Sequence, residues 1–194
     1  MKSLVACAAL LALGACTTHR TAELRAPRPT QPASSGPSSS TLAYANETAS
    51  AHLFQIQAAE IALQRSRDPA VSNFAQMLLN DNRALLQRTS LAIEGARIPV
   101  AAPLLQQNHF ALAQQLQMAT AARFDDTFRN IEVMALMQSI DLQQRYSLNG
   151  DNAALRGLAN EMIPTLHAHL AAAQNIHIAP IPQYRPRISP GERG

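Results

Sequence analysis

Between Asp68 and Gly95, the apolar residues Val71, Phe74, Ala75, Leu78, Leu85 and Ala92 recur at the spacing that lines one face of an α-helix. The stretch is punctuated at both ends. Asp68 is placed to cap the helix, Pro69 stands at the first helical position, where a missing N–H costs nothing, and Gly95 is the expected stop. A helix starting this sharply after another helical pattern, from about Thr48 to Arg67, predicts an antiparallel hairpin.

A second hairpin is expected further on. One helix runs from about Arg123 to Leu148, and after "NGD" Asp151 or its neighbour caps a last helix reaching about Ile176. Val71, Phe74, Ala75, Leu78 and Leu79 recur 84 residues later as Leu155, Leu158, Ala159, Met162 and Ile163. Between the hairpins, residues 96–122 hold a proline-punctuated connection with a shorter helix from about Pro103. Alanine, leucine, glutamine and arginine dominate, glycines number 7 and aromatic residues are 4%, which favours helices with an aliphatic core. The expected fold is all-α, a ferritin-like antiparallel four-helix bundle with a long crossover carrying a shorter helix.

The first fifteen residues, "MKSLVACAALLALGA", set a lysine before an apolar run too short to cross a bilayer, the form of a secretion signal. The run ends in "LGAC", Leu13 to Cys16, which resembles the lipobox of bacterial lipoproteins. That resemblance implies cleavage before Cys16 and acylation of its thiol. Cys7 would leave with the signal, so no disulfide is expected in the mature chain. The 29 residues after Cys16 are rich in Ser, Thr and Pro. As a flexible coil they would span roughly 30 Å. The expected organisation is a signal at 1–15, a lipidated Cys16 with its disordered tether at 16–45, a helical domain at 46–178 and a disordered proline-rich tail at 179–194. By the same resemblance, Thr17 rather than an aspartate after the cysteine implies the outer membrane, facing the periplasm, as the expected location.

The formal charge of +3 belongs to the ends of the chain, since residues 46–178 carry 9 Arg against 11 acids. With neither a basic stripe nor an aromatic stacking platform, nucleic acid is excluded as an expected partner. The expected partners are the membrane, through the lipid, and an envelope protein or cell-wall polymer.

Ferritin-like two-metal sites use Glu-x-x-His on two of the helices. The glutamates of the body are Glu47, Glu60, Glu94, Glu132 and Glu161, followed three residues on by Ser50, Leu63, Arg97, Ala135 and Pro164. None is histidine, so a standard di-iron enzyme is disfavoured. Glu60 and Glu132 are expected to be solvated or paired with arginine. His169 falls on the stripe Leu155, Leu158, Met162, Leu166, Leu170 and Ala173, where a hydrogen-bonded core histidine is expected. His167 lies about 200° round the helix from it and should face solvent. Met118, Met134, Met137 and Met162 read as aliphatic filler. Pro164 should bend the last helix. Asn82 sits between Leu78 and Leu85 on an inward face, so its amide needs a partner such as His169, a backbone carbonyl or water.

The blocks "DPAVSNFAQMLLND", "ARFDDTF" and "MIPTLHAHLAAAQ" resemble those of the bacterial domain-of-unknown-function family 4142 over about residues 48–176. The resemblance implies an exported protein with a ferritin-like helical fold. Its members commonly show Asp-His where Asp81-Asn82 stands here, a second Asp-His near Ala135-Leu136, and a histidine matching His169. Their early glutamate corresponds to Gln55 or Gln57. By that resemblance this chain lacks two of three candidate histidines, and any metal held by relatives is expected to be lost.

The leading reading is therefore a lipid-anchored bundle that binds rather than catalyses and needs no cofactor. The competing reading is a metal-binding or oxidative-stress protein using His169 with Glu60, Glu132, Asp81 or Asn82 in a non-standard site.

Overall fold

The computed structural model describes residues 36–177. The signal, Cys16, most of the tether and the tail lie outside the described residues. Among the described residues five helices follow in order: α1 (Ser39–Arg65), α2 (Pro69–Gly95), α3 (Gln107–Met118), α4 (Phe124–Asn149) and α5 (Ala153–Gln174). The described residues contain no strand, and no helix among them is long and apolar enough to cross a membrane.

Each long helix packs against two others, α1 on α2 and α4, and α5 on α4 and α2. Paired positions run in opposite directions along each contact. On α1 and α4, Thr41 meets Tyr146 and Tyr44 meets Gln143. On α2 and α5, Asp81 meets His169 and Arg88 meets Glu161. Hence α2 and α4 run parallel across the diagonal, and residues 96–123 must travel the length of the bundle. This is the ferritin-like crossover, and α3 within it lies against α1 and α4.

The hairpin turns follow their capping chemistry. Asp68 accepts from the Ala70 N–H at 2.8 Å at the start of α2, and Asn152 accepts from the Leu155 N–H at 3.0 Å at the start of α5. α5 stays helical on both sides of Pro164. Arg65, in the last turn of α1, donates to the carbonyls of Leu116 at 2.6 Å and Gln117 at 2.8 Å, and also to that of Ala119. Its guanidinium lies 4.5 Å from the centre of the Phe124 ring. One side chain thus satisfies the open carbonyls at the end of α3 and ties the crossover to the bundle.

Three boundaries differ from expectation. The first helix begins at Ser39 rather than near Thr48, capped by Ser38, whose hydroxyl accepts from the Thr41 N–H at 3.1 Å. Residues 39–45, read from the sequence as tether, are the first turns of the bundle, with Thr41, Tyr44 and Ala45 buried. The crossover helix begins at Gln107, four residues later than expected from Pro103, because Ser50 on α1 accepts the Gln106 N–H at 2.7 Å and fixes its start.

The end of α2 is the third case. Gly95 is still helical, and Arg97 takes the left-handed conformation at φ 54°. Ile98 N–H reaches the Ile93 carbonyl at 3.1 Å and Arg97 N–H reaches that of Glu94 at 2.9 Å, with Ile93 and Ile98 both buried. This is a Schellman closure with a side-chain-bearing residue where glycine is usual. Arg97→Gly is expected to stabilise the chain by about 0.5–1 kcal/mol, the relief of a left-handed Cβ less glycine's extra entropy. An upward shift of the urea midpoint would show it, and a downward shift would refute it.

Phenylalanines close one end of the bundle, Phe74 meeting Phe128 edge-on at 6.0 Å and Phe124 stacking on Phe128 at 6.2 Å. Tyrosines close the other: Tyr44 and Tyr146 stack at 3.7 Å with planes 9° apart. Thr41 bonds Tyr146 at 2.7 Å and also Asp151, while Tyr44 donates to Gln143 at 2.6 Å, so the polar tips of both rings are satisfied. Of the methionines read as filler, only Met162 is buried; Met118, Met134 and Met137 are exposed on their helices.

Candidate functional site

Between the two aromatic ends a cluster of buried polar side chains interrupts the aliphatic core. His52 and Gln55 on α1, Asn82 on α2, Glu132 on α4 and His169 on α5 are all buried, at 3%, 3%, 1%, 0% and 2% exposure. Asp81, beside Asn82, is half exposed and reaches in from the rim of α2.

The amide of Asn82 is fully oriented. Its nitrogen donates to the Leu78 carbonyl at 2.9 Å, so its oxygen faces His52 Nδ1 at 3.0 Å. A carbonyl can only accept, so His52 Nδ1 carries the proton and Nε2 holds the lone pair. Burial pushes the ring's pKa down to about 4, with the Asn82 bond opposing that and the charge of His169 adding to it. The histidine that meets Asn82 is thus His52, not His169.

His169 is tied to α2 in the same way one residue earlier. Its Nε2 lies 2.8 Å from Asp81 Oδ2, so the neutral ring carries its lone pair on Nδ1. The two free ring nitrogens, His52 Nε2 and His169 Nδ1, are buried without hydrogen-bond partners.

Glu132 was expected at the surface or beside an arginine, and it is neither. Burial pushes its carboxyl up to about 8, tempered by the neighbouring Gln55 amide. Yet both Glu132 oxygens and both polar atoms of Gln55 lack a hydrogen bond of ordinary length. Glu60 does follow expectation, half exposed and 3.0 Å from Arg83. His167 is exposed. Ala135 and Leu136, standing where the family resemblance would place Asp-His, are buried in α4 and offer no ligand.

The ferritin-like architecture implies a two-metal carboxylate centre, and this donor set does not fit one. Glu132 is the one buried glutamate among the described residues, and no three His, Cys, Asp or Glu side chains there converge on a point.

A second constellation lies where α3 meets α1. Ser50 Oγ is 2.7 Å from His109 Nδ1, and His109 Nε2 is 3.8 Å from Glu47 Oε1. Serine, histidine and carboxylate in that order look like a nucleophile with its base. However, Ser50 has no exposed surface and already accepts the Gln106 N–H. His109 stacks on Phe54 at 5.6 Å, burial lowers its pKa against the pull of Glu47, and Asn108 donates to Glu47 at 2.9 Å. These bonds seat the crossover helix. A surface hollow of about 250 Å³ beside His109 and an apolar groove of about 440 Å³ along Tyr44, Leu142 and Tyr146 include none of the polar interior residues.

The sequence pattern singled out Asn82, Asp81, His169 and Glu132, but not His52. On α1 the inward positions 41, 48, 52 and 55 are polar, so no apolar stripe marked them. The usable signal was the interval itself, Thr48, His52 and Gln55 recurring at helical spacing beside the alanines.

A profile of the family described as "Domain of unknown function (DUF4142)" matches residues 26–176. No curated protein matches the chain. Among solved structures, a fragment of DUF305 from Deinococcus radiodurans superposes with a TM-score of 0.61 at 11% identity, over 72% of this chain and 95% of that one. CopM in its Cu(I)-bound form superposes with a TM-score of 0.55 at 18% identity, over 69% of this chain and 91% of that one. At these identities the likeness is one of fold.

Proposed function

The chain belongs to the DUF4142 family, and from that premise we propose that it is a lipid-anchored envelope protein, held at the outer membrane and facing the periplasm, that works by binding rather than catalysis. Anchoring rests on "LGAC" at Leu13 to Cys16 and the Pro/Ser-rich segment that follows. Cys16→Ser should move the protein from the membrane fraction to the soluble periplasmic fraction; continued membrane attachment would sink the anchoring claim.

The observation that carries the binding reading is the polar interior. Leaving a buried polar atom unpaired costs about 1–3 kcal/mol, and the free ring nitrogens of His52 and His169, together with Gln55 beside Glu132, bring buried polar groups in from three helices. An interior built only for stability would be apolar there. At the Ser50-His109-Glu47 alignment among the described residues the serine is sealed from solvent.

The metal-binding reading is a more specific form of the same idea. It is favoured by the two imidazoles, each fixed through one nitrogen by an oxygen of α2 with the other nitrogen free. That one protein of the same fold is described in a Cu(I)-bound form makes copper the first metal to test. Elemental analysis of the protein isolated from its own envelope addresses both readings: a stoichiometric metal supports binding, and a metal-free chain that takes up no ion in dialysis against a panel of metals speaks against it.

A further inference from the structure

We propose that His52 and His169 form a two-imidazole site for a monovalent copper ion inside the bundle, His52 binding through Nε2 and His169 through Nδ1. The assignment rests on the binding reading above and names its ligand.

The rings are prepared in the way metal-binding imidazoles are. A histidine ligand characteristically donates its other N–H to a carboxylate or carbonyl, which sets the tautomer and aims the lone pair. Here Asn82 Oδ1 does this for His52 at 3.0 Å and Asp81 Oδ2 does it for His169 at 2.8 Å. The two anchors are consecutive residues of α2, so one turn of one helix orients both rings. Both free nitrogens are buried without partners, and His169 lies near enough for its charge to act on His52.

The donor set selects the ion. Structural zinc takes four ligands and catalytic zinc three, and no third His, Cys, Asp or Glu joins the pair among the described residues. Copper(I), with a filled d shell, accepts two ligands in line, and imidazole suits copper. Charge argues the same way. The cost of burying an ion rises with the square of its charge, and two neutral imidazoles cancel none of it. A single positive charge is balanced by the carboxylate of Asp81 behind His169; a double charge is not.

The test uses the full chain with Cys7→Ser and Cys16→Ser, because thiolates would compete for the ion. Anaerobic titration with Cu(I) against a chromogenic chelator should give one ion per chain, with an X-ray absorption edge typical of two nitrogen ligands. His52→Gln and His169→Gln should each weaken binding at least about tenfold, and Asp81→Asn by about tenfold. His109→Gln should leave it unchanged. Should either histidine variant fail to fold, Asp81→Asn on its half-exposed residue and the absorption edge of the parent chain still decide the matter. Affinity indifferent to all three changes, or an edge showing sulfur ligands, overturns the site. Zinc held as tightly through the same two histidines overturns the choice of ion while leaving the binding reading intact. No ion bound by this chain, and none in protein from its own envelope, overturns both.

Discussion

Glu132→Gln is expected to raise the stability of the folded chain by several kcal/mol at pH 8 and to abolish most of its decline on the alkaline side. In the folded chain the carboxyl holds its proton up to about pH 8, whereas in the unfolded chain it ionises near its ordinary 4.5. Between those values the folded state carries one more proton than the unfolded state. Stability therefore falls as pH rises, by about 1.4 kcal/mol per pH unit. His52 acts in the opposite sense, because the unfolded ring takes up a proton below 6.5 and the folded ring only below about 4. As pH drops through that window, stability is lost.

Between pH 4.5 and 6.5 the two slopes oppose each other, with His109, whose pKa burial also lowers, acting in the sense of His52, and Glu132 carries the slope from 6.5 to 8. Urea unfolding at half-unit steps from pH 5 to 9 reads this directly. The parent chain should fall between pH 6.5 and 8, and the Gln variant should stay level there. An equal alkaline fall in the Gln variant would mean that Glu132 is not the group responsible.

Gly150→Ala should destabilise the chain by about 1–3 kcal/mol through overpacking. The glycine has an ordinary φ of −62°, so its need is for space rather than conformational freedom. A Cβ there would lie 2.5 Å from Tyr146 Cε1 and 2.6 Å from the Tyr146 carbonyl oxygen. The ring cannot retreat, since Tyr44 stacks on it at 3.7 Å and Thr41 holds its hydroxyl at 2.7 Å. The expected signs are a melting temperature lower by several degrees and a weakened near-ultraviolet tyrosine signal. A change below about 0.5 kcal/mol, the usual size for an unremarkable surface substitution, would show the space to be unneeded.

What the sequence reveals of this fold depends on how each helix makes its contacts. α2 was legible to within a residue because Asp68 and Pro69 announce its start and its inward face is apolar. The start of α1 was not, because "SSSTLAYA" has the composition of a linker; its helical character comes from Ser38 capping Thr41 and from Tyr44 packing on Tyr146. Glu132 was misplaced for a related reason. Periodicity puts it on an inward face, but the ordinary habits of glutamate argue for solvent, and only the tertiary context decides. Asn82 is the instructive intermediate: an amide in a leucine stripe signals a buried polar partner, while the partner's identity, His52, depends on how α1 and α2 lie together.

The crossover divides the polar interior between two hairpins. His52, Gln55, Asp81 and Asn82 belong to the α1–α2 hairpin, Glu132 and His169 to the α4–α5 hairpin. Each hairpin closes by local contacts, which form fast, whereas docking one on the other depends on contacts distant in sequence, which form slowly. A ligand held jointly by His52 and His169 has no site in either hairpin alone. Its binding energy would accrue entirely to the docked state, making occupancy a brake on the separation of the two halves rather than on the melting of their helices.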